Sequence, residues 1–219
     1  MPRIKGTTIM KTEEHKNFDN EALQWDKNPG RVKIAADVAQ GIIREITLTR
    51  DMDVLDFGCG TGLLSLHLLP HVGTVTGVDS SPGMLGVLRE KIGTQGLKNV
   101  RTLLVDMKGP LRIDGAFHLI VSSMTLHHVP DTAALFRQWH GLLIPGGRLC
   151  FADLDAEDGS FHGDNTGVFH FGFDRANVRE LLQGAGFHAI RDTTATTVMR
   201  DVAGNGKRAF PVFLITASK

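Results

Sequence analysis

From about residue 50 onward, short apolar runs alternate with longer stretches whose apolar side chains return every three or four positions. Val54-Leu55 with Phe57, Thr74 to Val78, Val100 to Val105, Phe117 to Val121 and Arg148 to Ala152 read as strands. Continuous apolar runs of this length suit parallel strands covered on both faces. Between them, Leu63 to Leu68, then Met84, Leu85, Val87, Leu88 and Ile92, then Leu135, Trp139 and Leu142 mark helices with one committed face. Ahead of the first strand, Ala35, Val38, Ala39, Ile42, Ile43 and Ile46 predict a helix over Arg31 to Ile46. Phe18-Asp19 opens a short segment containing Trp25, and Asn28-Pro29-Gly30 and Ile144-Pro145-Gly146-Gly147 are turn signals. After a helix capped by Asp174, strands over Phe187 to Thr197 and Phe210 to Ala217 are joined through Gly204-Asn205-Gly206-Lys207. Strand–helix alternation predicts an α/β fold with a parallel sheet, closed by a hairpin-like pair.

The stretch Val54-Leu55-Asp56-Phe57-Gly58-Cys59-Gly60-Thr61-Gly62 carries the chemistry. It predicts a buried strand, a tight turn and a helix starting near Gly62, whose amino end would face a ligand. A dinucleotide fingerprint places its third glycine at position 63, which is Leu63 here. The pattern is instead D-x-G-x-G-x-G, from Asp56 to Gly62. A ligand-free βα turn is the alternative reading of the same glycines. Asp79, ending the second strand, is placed to accept hydrogen bonds from ribose hydroxyls, a role a nicotinamide dinucleotide would also require. Ser81-Pro82 supplies a helix cap and first-turn proline, with Met84 following.

The D-x-G-x-G-x-G run resembles the first motif of the class I, Rossmann-like S-adenosylmethionine-dependent methyltransferases of small-molecule type. "LLIPGGRLCFADL" resembles their Leu-x-Pro-Gly-Gly turn, and "LIVSSMTLHHVPD" their fourth motif. The resemblance covers roughly Asp51 to the C-terminus and implies a three-layer sandwich around a mostly parallel seven-stranded sheet with an antiparallel last strand. It implies an N-terminal extension over residues 1–50 that lids the cofactor and a core over 51–219; Trp25 and Arg31 are lid candidates, against the alternative that Trp25 simply packs and Arg31 is surface-exposed. The cofactor implied is S-adenosyl-L-methionine. Asp56, Gly58, Gly60 and Gly62 would surround its amino-acid and ribose parts, Asp79 the ribose, and Met84, Asp106 and Met107 the adenine. Ser122, also implied as a cofactor-binding residue, holds a position that is acidic in many amine methylators, which weakens the case for an amine acceptor. His127, beside His128, is the candidate general base; the alternative is that these histidines pack the loop or cap the next helix. Phe161, His162, Phe169, His170, Phe171 and Phe173 are candidate walls of a substrate pocket within residues 153–173.

Charge narrows the partners. Lys+Arg and Asp+Glu are equal at 24 each in 219 residues, so no footprint for nucleic acid is visible. No apolar run reaches the length of a membrane span, and no signal segment follows Met1, so a cytoplasmic location is expected. Cys59 and Cys150 lack metal spacing and are expected as reduced thiols. The acids and histidines of 153–173 match no calcium loop or paired-histidine motif, so no metal is expected. The reading is a methyltransferase acting on a small molecule, without nucleic acid or membrane, as a monomer or homodimer. Its rivals are a nicotinamide-dependent oxidoreductase and a non-catalytic adenosyl-binding module.

Overall fold

A computed structural model describes residues 18–106, 111–202 and 206–219. Met107, expected near the adenine, and Gly204-Asn205 of the terminal turn lie outside the described residues.

The expected strands form one seven-stranded sheet in the order β3-β2-β1-β4-β5-β7-β6. Its centre is β1 (Asp53–Phe57), flanked by β2 (Thr74–Asp79) and β4 (Phe117–Ser123), both parallel to it. β3 (Val100–Leu104) extends one side in parallel, and β5 (Leu143–Leu154) the other. β7 (Gly206–Ser218) is antiparallel to both β5 and β6 (His188–Val202), which makes the anticipated single reversal of direction. Strand order reverses between β1 and β4, the point where open parallel sheets leave a crevice at their carboxyl ends.

Period-two alternation along the central strands divides the core into two halves. Val54, Leu119, Val121 and Cys150 face α1 (Pro29–Glu45) and α2 (Leu63–Leu68), against Val38, Ile42 and Leu68. Leu55, Phe57, Ile120 and Phe151 face α4 (Thr132–Leu142) and α5 (Arg175–Gly184), against Phe136, Trp139 and Leu182. Trp139 is fully buried with its ring edge-on to Phe57 at 5.3 Å, so its truncation would cost about 3–5 kcal/mol. α3 (Pro82–Thr94) seats Leu85 and Leu88 beside Cys59.

Three local readings shift. Asn28-Pro29-Gly30 is the start of α1: the Asn28 side chain accepts from the Gly30 and Arg31 amides, with Pro29 at the first helical position. The Pro145-Gly146-Gly147 turn sits inside β5, as an irregularity that pairs Leu143 with Phe117 and Arg148 with Leu119. β6 runs to Val202, beyond the expected Thr197, because β7 pairs with it along nearly its whole length.

Candidate active site

The β1–α2 turn closes on itself. The Gly58 and Cys59 amides donate to the Val78 carbonyl at 2.8 and 3.0 Å, Gly60 donates to the Asp79 carboxylate at 2.8 Å, and Gly62 to the Cys59 carbonyl at 2.9 Å. These amides are therefore committed within the protein. The turn presents glycine Cα faces and carboxylates to its surroundings.

The three glycines differ in purpose, although all have positive φ. A Cβ on Gly58 would meet Thr125 at 2.3 Å, and one on Gly62 would meet Leu88 at 2.4 Å. A Cβ on Gly60 would have only the Met84 sulfur near it, at 4.0 Å. Gly62 is thus demanded by helix packing and lies off the cavity, contrary to its expected place against the cofactor. Gly60 is the position where a missing side chain leaves room.

That room belongs to a cavity of about 720 Å³ at the carboxyl ends of β1, β2 and β4. Asp56, Gly58, Gly60, Asp79, Met84 and Asp106, all expected from sequence, line one end of it. Asp56 is buried and accepts from the Ser65 hydroxyl; burial, reinforced by the nearby Asp79 charge, pushes its carboxyl up to about 7. Burial also raises the Asp79 carboxyl, against the pull of the Ser81 and Gly60 amides. Burial and these two acids keep the Cys59 thiol protonated, and Cys59 and Cys150 are both buried and unbridged.

Ser122 departs from expectation. It is buried and its hydroxyl donates to the Phe57 carbonyl at 2.8 Å, tying β4 to β1 on the side of Ile120. Its neighbour Ser123 lines the cavity instead. A one-residue error in strand register moves a side chain to the other face.

The opposite end of the cavity is aromatic. Leu126–His128 forms one 3-10 turn, with His127 and His128 both on the lining. His127 Nδ1 lies 2.7 Å from the Asp153 carboxylate, and both side chains are buried. Burial alone would raise the Asp153 carboxyl; the charge and hydrogen bond of His127, with the Leu154 and His127 amides, hold it below the usual range. With Nδ1 as donor, Nε2 is the basic nitrogen of a neutral His127. The Phe169 and His170 amides donate to the His127 carbonyl at 2.8 and 3.3 Å, and so fix the turn from the 153–173 loop. His128 bonds the Gly167 carbonyl through Nδ1 at 2.7 Å, and burial holds its pKa down at about 3. Neither histidine caps the next helix; Asp131 does, accepting from the Ala134 amide.

Of the aromatic wall expected in 153–173, Phe161 and His162 line the cavity. Phe173 packs in the core, Phe171 is exposed, and His170 anchors the loop to the Val129 carbonyl at 2.9 Å. Three contributors had no local sequence signal. Asp153 partners His127, Asp19 accepts from the Ser81 hydroxyl and Gly83 amide, and Asp26 accepts from the Thr61 hydroxyl while pairing with Lys91. The last two fasten the 3-10 helix Asp19–Lys27 over the turn. Trp25 and Arg31, anticipated as lid residues, line the cavity with the guanidinium stacked 3.6 Å above the indole.

The cavity suits a nucleoside carrying a positive charge better than a pyrophosphate. The buried Asp56 and the half-buried Asp79 flank the glycine turn, and the Gly58, Cys59, Gly60 and Gly62 amides are spent on protein acceptors, whereas a pyrophosphate would ask for free donors there. A family model described as a methyltransferase domain matches residues 54–147, the span from β1 into β5. The chain carries a class I, Rossmann-like methyltransferase domain.

Related proteins agree with that assignment. An uncharacterised methyltransferase of Schizosaccharomyces pombe is 33% identical over 149 residues, covering 61% of this chain and 52% of the relative. A ubiquinone biosynthesis O-methyltransferase of Coxiella burnetii is 33% identical over 147 residues, covering 65% and 62%. The chain thus spans between half and two thirds of the length of these curated relatives. Among solved structures, an S-adenosylmethionine-dependent methyltransferase from Aquifex aeolicus aligns with a TM-score of 0.68 and 21% identity, covering 93% of this chain and 99% of that one. The Haemonchus contortus phosphoethanolamine N-methyltransferase 2, solved with S-adenosyl-L-methionine, aligns with a TM-score of 0.69 and 15% identity, covering 93% and 60%. Both likenesses concern the fold. Among the described residues no cluster of histidine, cysteine or acidic side chains is arranged to hold a metal, and no helix is long and apolar enough to cross a membrane.

Proposed function

We propose that the methyltransferase domain moves a methyl group from S-adenosylmethionine to a hydroxyl group of a small molecule. The observation that carries the hydroxyl assignment is the buried His127–Asp153 pair at the aromatic end of the cavity. When bound, the cofactor supplies a methyl carbon already activated by a sulfonium. The protein's task is then to align the acceptor, exclude water and take a proton. An amine or thiolate needs little help to attack, whereas an alcohol or phenol gains from losing its proton as the new bond forms. His127 Nε2 would accept that proton, and Asp153, fixed at Nδ1, would hold the imidazole in the right tautomer and stabilise its charged form.

Asp79 would hold the ribose hydroxyls with the carboxylate oxygens that also accept the Gly60 and Ser81 amides. Asp106 would meet the adenine, Met84 would pack on it, and Asp56 would face the amino-acid end. Residues 18–50 would serve as cover, with Asp19 and Asp26 as its fastenings. The name of the Coxiella relative supports an oxygen acceptor. The comparison that tests the cofactor assignment is thermal stabilisation by S-adenosylhomocysteine and by NAD. Stabilisation by the first is expected; stabilisation by NAD alone would reject the assignment. Transfer of labelled methyl to hydroxylated aromatic acceptors, lost in His127→Ala, tests the acceptor class.

A further inference from the structure

Arg200 is a half-buried cation on the cavity wall for which neither the fold nor the cofactor reading accounts. It projects from the far end of β6, where its guanidinium lies 4.1 Å above the Phe161 ring and donates to the Phe161 carbonyl at 2.7 Å. That one bond leaves most of its N–H donors uncommitted. Among the described residues no carboxylate is ion-paired with it. Burial and the nearby Arg31 disfavour its protonation, its cross-strand partner Arg208 is paired with Asp158, and the Glu157 carboxylate accepts from the Phe161 amide at 3.0 Å rather than from Arg200. Arg31 already has Glu21 at 2.8 Å.

An uncompensated guanidinium held beside another guanidinium costs free energy unless an anion joins them. The fold maintains this one deliberately, through stacking and a backbone bond. Its position indicates which anion. Arg200 stacks on Phe161, Phe161 meets His162 with centroids 4.9 Å apart, and His162 meets His127 at 5.0 Å. This chain of contacts leads to the candidate base. Arg31, by contrast, belongs to the cover fastened onto the glycine turn.

We infer that Arg200 anchors an anionic group on the acceptor, so that the substrate is a small planar hydroxy acid with its hydroxyl toward His127 and its carboxylate or phosphate toward Arg200. This deepens the methyltransferase reading and rests on it. The aromatic walls suit a flat ring, and a guanidinium fork suits a bidentate carboxylate or phosphate. A proton-accepting base also fits a hydroxyl nucleophile on such a molecule better than the carboxylate itself, which has no proton to give up.

The test is calorimetric titration of the S-adenosylhomocysteine-saturated protein with the isomeric hydroxybenzoates, 4-hydroxyphenyl phosphate and the neutral 4-hydroxybenzamide. At least one acid is expected to bind roughly tenfold or more tightly than the amide. The preferred acid distinguishes a carboxylate site from a phosphate site. Arg200→Gln should erase that preference while leaving S-adenosylhomocysteine affinity within about twofold, and Arg200→Lys should restore part of it. Equal binding of acids and amide, or no binding of any of them, would overturn the inference. A parallel loss of S-adenosylhomocysteine affinity in Arg200→Gln would also overturn it, by assigning the arginine to the cofactor. Failure of S-adenosylhomocysteine to bind the unaltered protein would instead bring down the methyltransferase reading itself.

Discussion

His127 Nδ1 and the Asp153 carboxylate stand 2.7 Å apart with both side chains buried, one on the 3-10 turn after β4 and the other near the end of β5. β4 and β5 are hydrogen-bonded neighbours, so the sheet brings together two residues 26 positions apart. Asp153→Asn should slow methyl transfer by about a hundredfold or more, because an amide can stabilise neither the tautomer nor the charged imidazole as the carboxylate does. S-adenosylhomocysteine affinity should be unchanged, and a melting curve would exclude simple unfolding. Undiminished turnover would remove His127 and Asp153 from the chemistry.

Asp79→Ala should weaken S-adenosylhomocysteine binding by about 1–3 kcal/mol in calorimetry, through loss of a ribose acceptor and of the bond that shapes Gly60. Asp79→Asn keeps one acceptor oxygen and should fall between. Unaltered affinity in Asp79→Ala would refute its assignment to the ribose.

Cofactor affinity should depend on pH through Asp56. In the free protein burial places this carboxyl at about 7, so it is largely neutral at pH 6 and ionised at pH 8. An amino-acid ammonium beside it favours the ionised form, so binding should strengthen as pH rises through 7 and release a proton below that point. Titrations in buffers of different ionisation heat would count the proton. A pH-independent affinity would place the ammonium elsewhere.

Acid stability should depend on His128. Its folded pKa is depressed to about 3, chiefly by burial, so the neutral ring contributes stability that is complete above its unfolded pKa near 6.5. That contribution falls as pH drops from 6.5 toward 3, and amounts to about 1–2 kcal/mol lost by pH 5. Asp153, with its lowered pKa, adds to the same trend at lower pH. Denaturant midpoints from pH 8 to 5 should therefore decline less in His128→Gln than in the unaltered protein. Parallel declines would mean that His128 gains its proton without cost.

Elements fixed by local periodicity were legible in the chain. The central strands, the amphipathic helices and the terminal reversal all follow from apolar spacing and turn chemistry. Asp56, Asp79 and Gly60 could be placed because strand end, turn and helix follow one another directly. Partnerships that arise only when distant segments meet were not legible. Asp153 was one of several acids in an irregular stretch, and nothing local couples it to His127. Arg200 lies on an edge strand whose alternation gives no hint that its tip reaches a cavity on the far side of the chain. Ser122 and Ser123 differ by a single register step, and sequence offers no means to choose which one faces inward. Gly62 matched a binding pattern that packing against Leu88 explains by itself.

The most direct measurement is a crystal structure of the protein with S-adenosylhomocysteine. The account predicts a nucleoside lying across Gly60, its ribose hydroxyls on Asp79, its adenine near Asp106, and its sulfur facing the space before His127. A nucleoside bound elsewhere, or this cavity filled by the protein's own side chains, would contradict it.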